Sequence, residues 1–314
     1  MIVSPEKMDF SKKKFSMIIY GSPGTGKTTL ALSAPNPVII DFDDGLSRVR
    51  SQHRKPAIFP EKYEDVLADL ESPEMKEFET IVVDTGGSFV NYLQDYVMRL
   101  NPALYKQKNG AISLKGFGAV VAEFTRFTNY VKDTLRKNLI FVFHSDEKSG
   151  ADGGTQQRLV CAGSAKNTVW TPCDFGGYVQ MIGNQRVICF TPEQEYFAKG
   201  CHGISGRKPI PELTADTPND FISKLFERAK KNIADESAAL QPQKEKYDEA
   251  MALARKAVDT VTDAESAEMA VEYMKTLDHA LTSKKEASAL LKAKVNSLGL
   301  KFTKDGKCVP KESE

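Results

Sequence analysis

Residues 21–28 read Gly-Ser-Pro-Gly-Thr-Gly-Lys-Thr, and this octet restricts the fold of the chain more than any other stretch. Gly21, Gly24 and Gly26 let successive backbone N–H groups curl around an anion with no Cβ in the way. An apolar run at 15–20 precedes the loop and a helix-forming stretch follows it, so the loop is predicted to join a strand to a helix. Ser22, Pro23, Thr25 and Thr29 complete the cradle. The pattern predicts ATP as ligand. Lys27 is placed to neutralise the β- and γ-phosphates and Thr28 to offer its hydroxyl to Mg2+, with the positive end of the following helix turned to the anion.

From residue 15 to residue 174, short β-rich runs at 15–20, 38–42, 80–84 and 139–144 alternate with longer helical stretches. That alternation predicts a mostly parallel sheet covered by helices, an α/β core. Phe117, Val120, Phe124, Phe127, Val131 and Leu135 recur at spacings of three and four, the stripe of a helix packed on the sheet. Two further apolar runs, 177–182 and 186–191, flank Gly183-Asn184-Gln185 and predict a β-hairpin extending the sheet. A helix near 218–233 closes this core. Residues 234–243 have little periodicity and one proline, the signature of a linker, and 244–298 read as a small helical appendage of two or three helices. The expected organisation is a core at 1–233, a linker at 234–243 and a helical unit with a basic tail at 244–314. Capping boxes are predicted at 262–265 and 283–286, and Gly299 is predicted to stop the last helix.

Parallel strands deliver their last residues to one edge of the sheet, where acids can meet the loop. Asp84 ends the third run and is predicted to contact Mg2+ beside Thr28. Asp41, Asp43 and Asp44 end the second run; Asp43 is the choice for orienting the attacking water, with capping of the next turn as the competing role for these acids. His144 ends the fourth run, where it can sense the γ-phosphate and pass its presence to the segment that follows.

Composition excludes little here. The formal net charge is +1, so nucleic-acid or membrane binding has to rest on local clusters. No run approaches the ~18 apolar residues of a membrane span, and no long apolar stretch marks a signal peptide. Five cysteines without a C-x-x-C pair point to a reducing compartment, with neither a disulfide framework nor a structural zinc. The expected location is the cytoplasm. Lysines outnumber acids eight to two between 284 and 311, which reads as a solvated helix face or as a contact for an acidic partner or nucleic acid.

The order of these parts resembles the RecA-type recombinase core, and more closely the compact phage-encoded RecA-like ATPases that act in single-strand annealing. The phosphate loop at 21–28, strands ending in Asp43, Asp84 and His144, and the polar segment before the hairpin carry the likeness, over roughly residues 12–212. It implies a RecA-like P-loop NTPase core whose ATP hydrolysis is stimulated by DNA. The segment at 145–168 becomes a DNA-contacting loop, with Lys148, Arg158 and Lys166 among its bases, although Asp146, Glu147 and Asp152 offset them. A second candidate track is 101–117, where Lys106, Lys108 and Lys115 lie near Tyr105 and Phe117. The resemblance also implies a ring or filament of identical subunits in which Lys199 reaches a neighbour's ATP in trans, with Arg207 and Lys208 in reserve.

Two departures stand out, an aspartate where recombinases use glutamate to orient water and a histidine sensor where they use glutamine; either change can slow hydrolysis. Only about fourteen residues precede the first predicted strand, too few for the amino-terminal domain of recombinases, and this favours annealing, or a weaker assembly, over full strand exchange. The leading expectation is an ATP-dependent single-stranded-DNA-binding protein of phage or prophage recombination, with the appendage recruiting a single-stranded-DNA-binding protein or another replication or recombination protein. The alternative is a replication accessory ATPase, helicase-like or a loader, that works through protein contacts. A small-molecule kinase would need an arginine-rich lid, and the segment after the sensor holds a single arginine, Arg158.

Overall fold

Strands that bury both faces need apolar side chains at every position, and that is how the first strands read. In the computed structural model β1 (Ser16–Gly21), β2 (Pro37–Asp41) and β4 (Thr80–Asp84) are buried throughout, as expected of a parallel sheet covered on both sides. The structure describes residues 10, 12–149, 154–162, 168–214, 216–303, 305 and 307–310. A short β3 (Ala57–Ile58), β5 (Asn138–Ser149), β6 (Thr155–Leu159), β7 (Phe175–Ile182), β8 (Gln185–Cys189) and β9 (Arg207–Pro209) complete a nine-stranded sheet. Its order is β3-β2-β4-β5-β1-β7-β8-β9, with β6 paired to β5 alone. Pairing is parallel from β3 to β7 and antiparallel from β7 to β9. The fold is therefore the α/β core that the sequence predicts, with the hairpin extension turning at Gly183 (φ 57°).

The strand carrying His144 lies between the phosphate-loop strand and the strand carrying Asp84. The layer of helices α2 (Tyr63–Glu71), α3 (Gly86–Leu100) and α5 (Leu114–Asn129) buries Tyr63, Phe89, Phe124 and Phe127 in one cluster with Ile18, Val83 and Phe141 of the strands. The predicted stripe holds: Val120, Phe124, Phe127 and Val131 are buried, and Phe117 and Leu135 pack at its border. Its end leaves the α-helix in a π-turn, Tyr130–Thr134. On another side of the sheet Phe15, Phe175 and Phe226 form an aromatic cluster with centroid separations of 5.2–6.0 Å.

Two stretches differ from the sequence reading. Residues 145–149 continue β5 and return antiparallel as β6, where a loop was predicted; alternating polar residues hide a strand whose faces are both solvated. Residues 234–243, predicted to be a linker, lie inside the helix α6 (Phe221–Asp259), Pro242 included. Ala, Glu, Leu and Gln in that stretch are strong helix formers, and their propensity outweighs the lack of an apolar stripe and the cost of one proline.

The chain divides into two compact units, one spanning Ser11–Asn232 and the other built on Ile233–Glu314. In the second, α7 (Ala264–Thr276), α8 (Ser283–Ser297) and a two-stranded hairpin of β10 (Leu300–Phe302) and β11 (Cys308–Pro310) pack with the end of α6 around Ala254, Ala267, Leu291 and Val295. The first cap there is Asp263, reciprocated by Ser266, one residue beyond the predicted box. The second predicted box does not form: Thr282 precedes α8 without a side-chain cap, and its hydroxyl donates to the Glu286 carboxylate at 2.5 Å instead. Gly299 follows α8 with φ 73°, as predicted. All five cysteines are free thiols, and among the described residues no helix is long and apolar enough to cross a membrane.

Candidate nucleotide-binding site

The parallel register brings the predicted residues to one edge of the sheet. Gly21 pairs with His144 across β1 and β5, and Asp41 pairs with Asp84 across β2 and β4. Gly21 is required at its position because a Cβ there would run into the backbone carbonyl of Val179 on β7. Gly24 (φ 80°) and Gly26 (φ 73°) take the left-handed conformation that bends the loop into α1 (Lys27–Ala31).

Lys27 is buried, and its ammonium donates to the carbonyl of Ser22 at 2.8 Å. Burial pushes its pKa down to about 8, opposed by the nearby Asp84. Thr28 donates to Asp84 Oδ2 at 2.5 Å. Desolvation raises the Asp84 carboxyl to about 6, the Thr28 bond and Lys27 lower it, and the charges of Asp41 and Asp43 raise it further. A cavity of about 460 Å³ opens over these groups, lined by Lys27, Thr28, Asp84, Thr85, Arg48 and His144 among others. Two hard oxygen donors side by side under a glycine-rich loop fit Mg2+, and the cavity with its buried ammonium fits a polyphosphate. Thr28 and Asp84 would hold Mg2+ there, and the ion would supply charge neutralisation at the phosphates.

The three neighbouring acids separate by environment. Asp41 is buried and accepts the N–H groups of Asp43, Gly45 and Leu46 at 3.2, 2.8 and 2.8 Å, so it caps the turn after β2. Asp44 is exposed with φ 51°. Asp43 is half-buried, accepts from Thr85 Oγ1 at 2.8 Å, and lies close enough for its charge to act on both Asp84 and His144. The His144 imidazole has a buried Nδ1 with no hydrogen-bond partner among the described residues, and burial together with Lys27 lowers its pKa. His144 lines the phosphate-sized cavity with a ring nitrogen left unsatisfied, and an unsatisfied polar group beside such a cavity is a candidate for contact with a ligand.

The remaining predicted residues lie elsewhere. Lys199 donates to the carbonyl of Cys173, at the opposite edge of the sheet from the phosphate loop. Arg207 is held by both carboxylate oxygens of Glu193. Lys106, Lys108 and Lys115 are exposed, and Tyr105 and Phe117 beside them are partly buried against the core. Lys148 and Arg158 stand on the β5–β6 hairpin. Lys166, Asp152 and the glycines at 150 and 153 lie outside the described residues.

The sequence reading missed three participants. Thr85, next to Asp84, ties Asp43 to the N-terminus of α3 by also accepting from the N–H of Ser88. Arg48 lines the phosphate cavity, with Nη2 on the carbonyl of Asp43 at 3.2 Å. Arg186 on β8 reaches the carbonyl of Thr25 in the loop at 3.4 Å. Position after an acid-ended strand was a usable signal for Thr85; single arginines far away in sequence carried none. Asp174, Cys201 and His202 also converge to within 4.8 Å, but Asp174 is already bonded to Ser16 and Lys13 and the Cys201 thiol is raised to about 11 by burial.

Residues 13–202 match the model of a family described as AAA domain. Among solved structures the chain is similar to a KaiC-like protein from the hyperthermophilic archaeon Pyrococcus horikoshii OT3, at 10% identity and a TM-score of 0.34, covering 65% of this chain and 87% of that one. It is also similar to the flagellar accessory protein FlaH from Methanocaldococcus jannaschii, at 10% identity and a TM-score of 0.29, covering 56% and 76%. A comparison with curated proteins finds no match.

Proposed function

The chain belongs to the AAA domain family, matched over residues 13–202, and is a P-loop ATPase; from that premise we propose that it binds single-stranded DNA in an ATP-dependent manner and promotes annealing in phage or prophage recombination. The observation that carries this reading is the continuity of β5. One strand holds His144 in the phosphate cavity and then runs on as the hairpin that bears Lys148 and Arg158. The return strand closes on the same residue, because the N–H of Val160 donates to the carbonyl of His144 at 2.8 Å. Nucleotide that engages the free Nδ1 moves or fixes the base of the hairpin, which is how phosphate occupancy reaches a surface.

That surface has the chemistry of a nucleic-acid contact. A cavity of about 650 Å³ at the hairpin base is lined by Lys148, Arg158, Trp170 and Phe197 together with Tyr20 and Asp146. Exposed cations beside an exposed aromatic face suit a single strand, whose phosphates and bases are both reachable. In this reading Asp43 orients water, Asp84 and Thr28 hold Mg2+, several subunits assemble on DNA with Lys199 released to a neighbour, and the helical unit recruits a replication or recombination protein.

Fluorescence anisotropy of a labelled oligonucleotide tests the reading. Mg2+ and ATP should tighten binding by the wild type, and K148E combined with R158E should weaken it at least about tenfold and flatten its salt dependence. Binding indifferent to ATP and to both substitutions would move the function to a replication accessory ATPase that acts through protein contacts.

A further inference from the structure

Every arginine of the chain except Arg186 is exposed, and this one stands against the phosphate loop. Burial disfavours a guanidinium unless an anion or a full set of acceptors meets it. Arg186, partly buried, has neither among the described residues: no ion pair joins it to an acid there, and its side chain makes a single long hydrogen bond, the 3.4 Å contact to the carbonyl of Thr25. Its Nη1 also fills the place that a side chain on Gly26 would take. The cost of burying it shows as a lowered pKa.

The fold holds Arg186 there deliberately in the backbone sense. It pairs with Met181 across the β7–β8 hairpin, and its carbonyl accepts the N–H of Ile210 at 2.9 Å. Both flanks of its strand are thus occupied, and the side chain is directed by a rigid element.

Its surroundings indicate the ligand. Arg186 lines a cavity of about 1260 Å³ together with Gly26, Thr29, Arg48, Arg50 and His53. Glu212 is the one acid along that wall, and it makes no ion pair with Arg186. This cavity and the smaller one above Lys27 share Pro23, Gly24, Gly26, Thr29 and Arg48. A nucleotide whose terminal phosphates lie over Lys27 therefore passes Thr29 into the larger space, and the phosphate at the crossing is the one joined to the ribose.

We propose that Arg186 is a nucleotide-binding residue acting in cis, its guanidinium pairing with the α-phosphate of the bound nucleoside di- or triphosphate. The proposal rests on the reading of the phosphate loop as the ATP site. It assigns to the hairpin extension a part in nucleotide binding, with Lys27 serving the terminal phosphates and Arg186 the inner one.

Calorimetric titration of the full chain with ADP and with a non-hydrolysable ATP analogue, in Mg2+, tests it through R186Q and R186K. Loss of one charge-assisted contact should raise Kd about tenfold or more in R186Q. The factor should be the same for both nucleotides, so the ratio of the two Kd values stays at the wild-type value, and R186K should recover part of the loss. Unchanged Kd values in R186Q overturn the proposal. So does a fall in turnover with unchanged Kd, or a changed Kd ratio, because either means that Arg186 only braces the loop around Lys27. If R186Q does not fold, R186K decides by the same ratio. Failure of the wild type to bind either nucleotide would instead overturn the ATP-site reading itself.

Discussion

The two edges of one sheet are built from similar residue types and treat them oppositely. At the edge where the parallel strands begin, Asn138 accepts from the N–H of Phe15 at 2.9 Å and donates to Thr80, whose hydroxyl in turn donates to Pro35 at 2.7 Å. Asp174 there takes the N–H and hydroxyl of Ser16 and an ion pair with Lys13. At the edge where the strands end, Asp84 has Thr28 as its side-chain partner, Lys27 has one carbonyl, and His144 Nδ1 has none. Burial does not separate the two sets, since Asn138 is 2% exposed and Asp84 3%. What separates them is saturation: a polar group that only supports the fold finds all its partners within the chain, and one that serves a ligand is left short of them.

The largest effect that would sharpen this contrast is at Lys27. K27A should lower ATP turnover by about 10³-fold, while the melting temperature holds or rises because a desolvated ammonium is gone. A parallel loss of stability would place Lys27 among the supporting groups and break the comparison.

A pH series on the protein without nucleotide or Mg2+ comes next in size. The Asp84 carboxyl moves from 3.8 to about 6 on folding, so the folded protein keeps the proton to higher pH than the unfolded chain. Stability therefore falls as pH rises from about 4 to about 6, by about 3 kcal/mol in total. D84N should remove that slope and be more stable than the wild type at pH 7, as read from urea midpoints. An unchanged slope would mean that Asp84 is not strained at rest.

At the opposite edge the expectation reverses. N138A should cost about 2 kcal/mol of stability by stranding the N–H of Phe15, with turnover per folded molecule unchanged. Within the ligand edge, the smallest effects divide the acids: D41N should cost about 1 kcal/mol through its turn, whereas D43N should spare stability and slow turnover. Full activity in D43N with loss in D41N would reverse these roles.

Much of the ligand edge was legible in the sequence, because its parts are set by chain position. A glycine-rich loop between strand and helix, a strand ending in Asp84, and a buried strand bringing His144 to the same edge follow from periodicity and from the rule that parallel strands share an edge. What escaped was set by three-dimensional closure. Arg186 comes to the loop only because β8 folds back beside β7, and no local pattern distinguishes it from a solvated strand arginine. The β5–β6 hairpin escaped because Ser145–Ser149 pairs backbone without an apolar face, and residues 234–243 because helix propensity needs no stripe. One predicted capping box was found to within one residue, the accuracy that local signals allow, and the other does not form.

ATP turnover by the purified protein with and without single-stranded DNA, beside K27A, tests the central claim most directly. The account predicts turnover in the wild type that DNA stimulates, and none above background in K27A in either condition. Turnover that persists in K27A would contradict the assignment of the ligand edge, and wild-type turnover that DNA leaves unchanged would contradict the link through His144 to the hairpin.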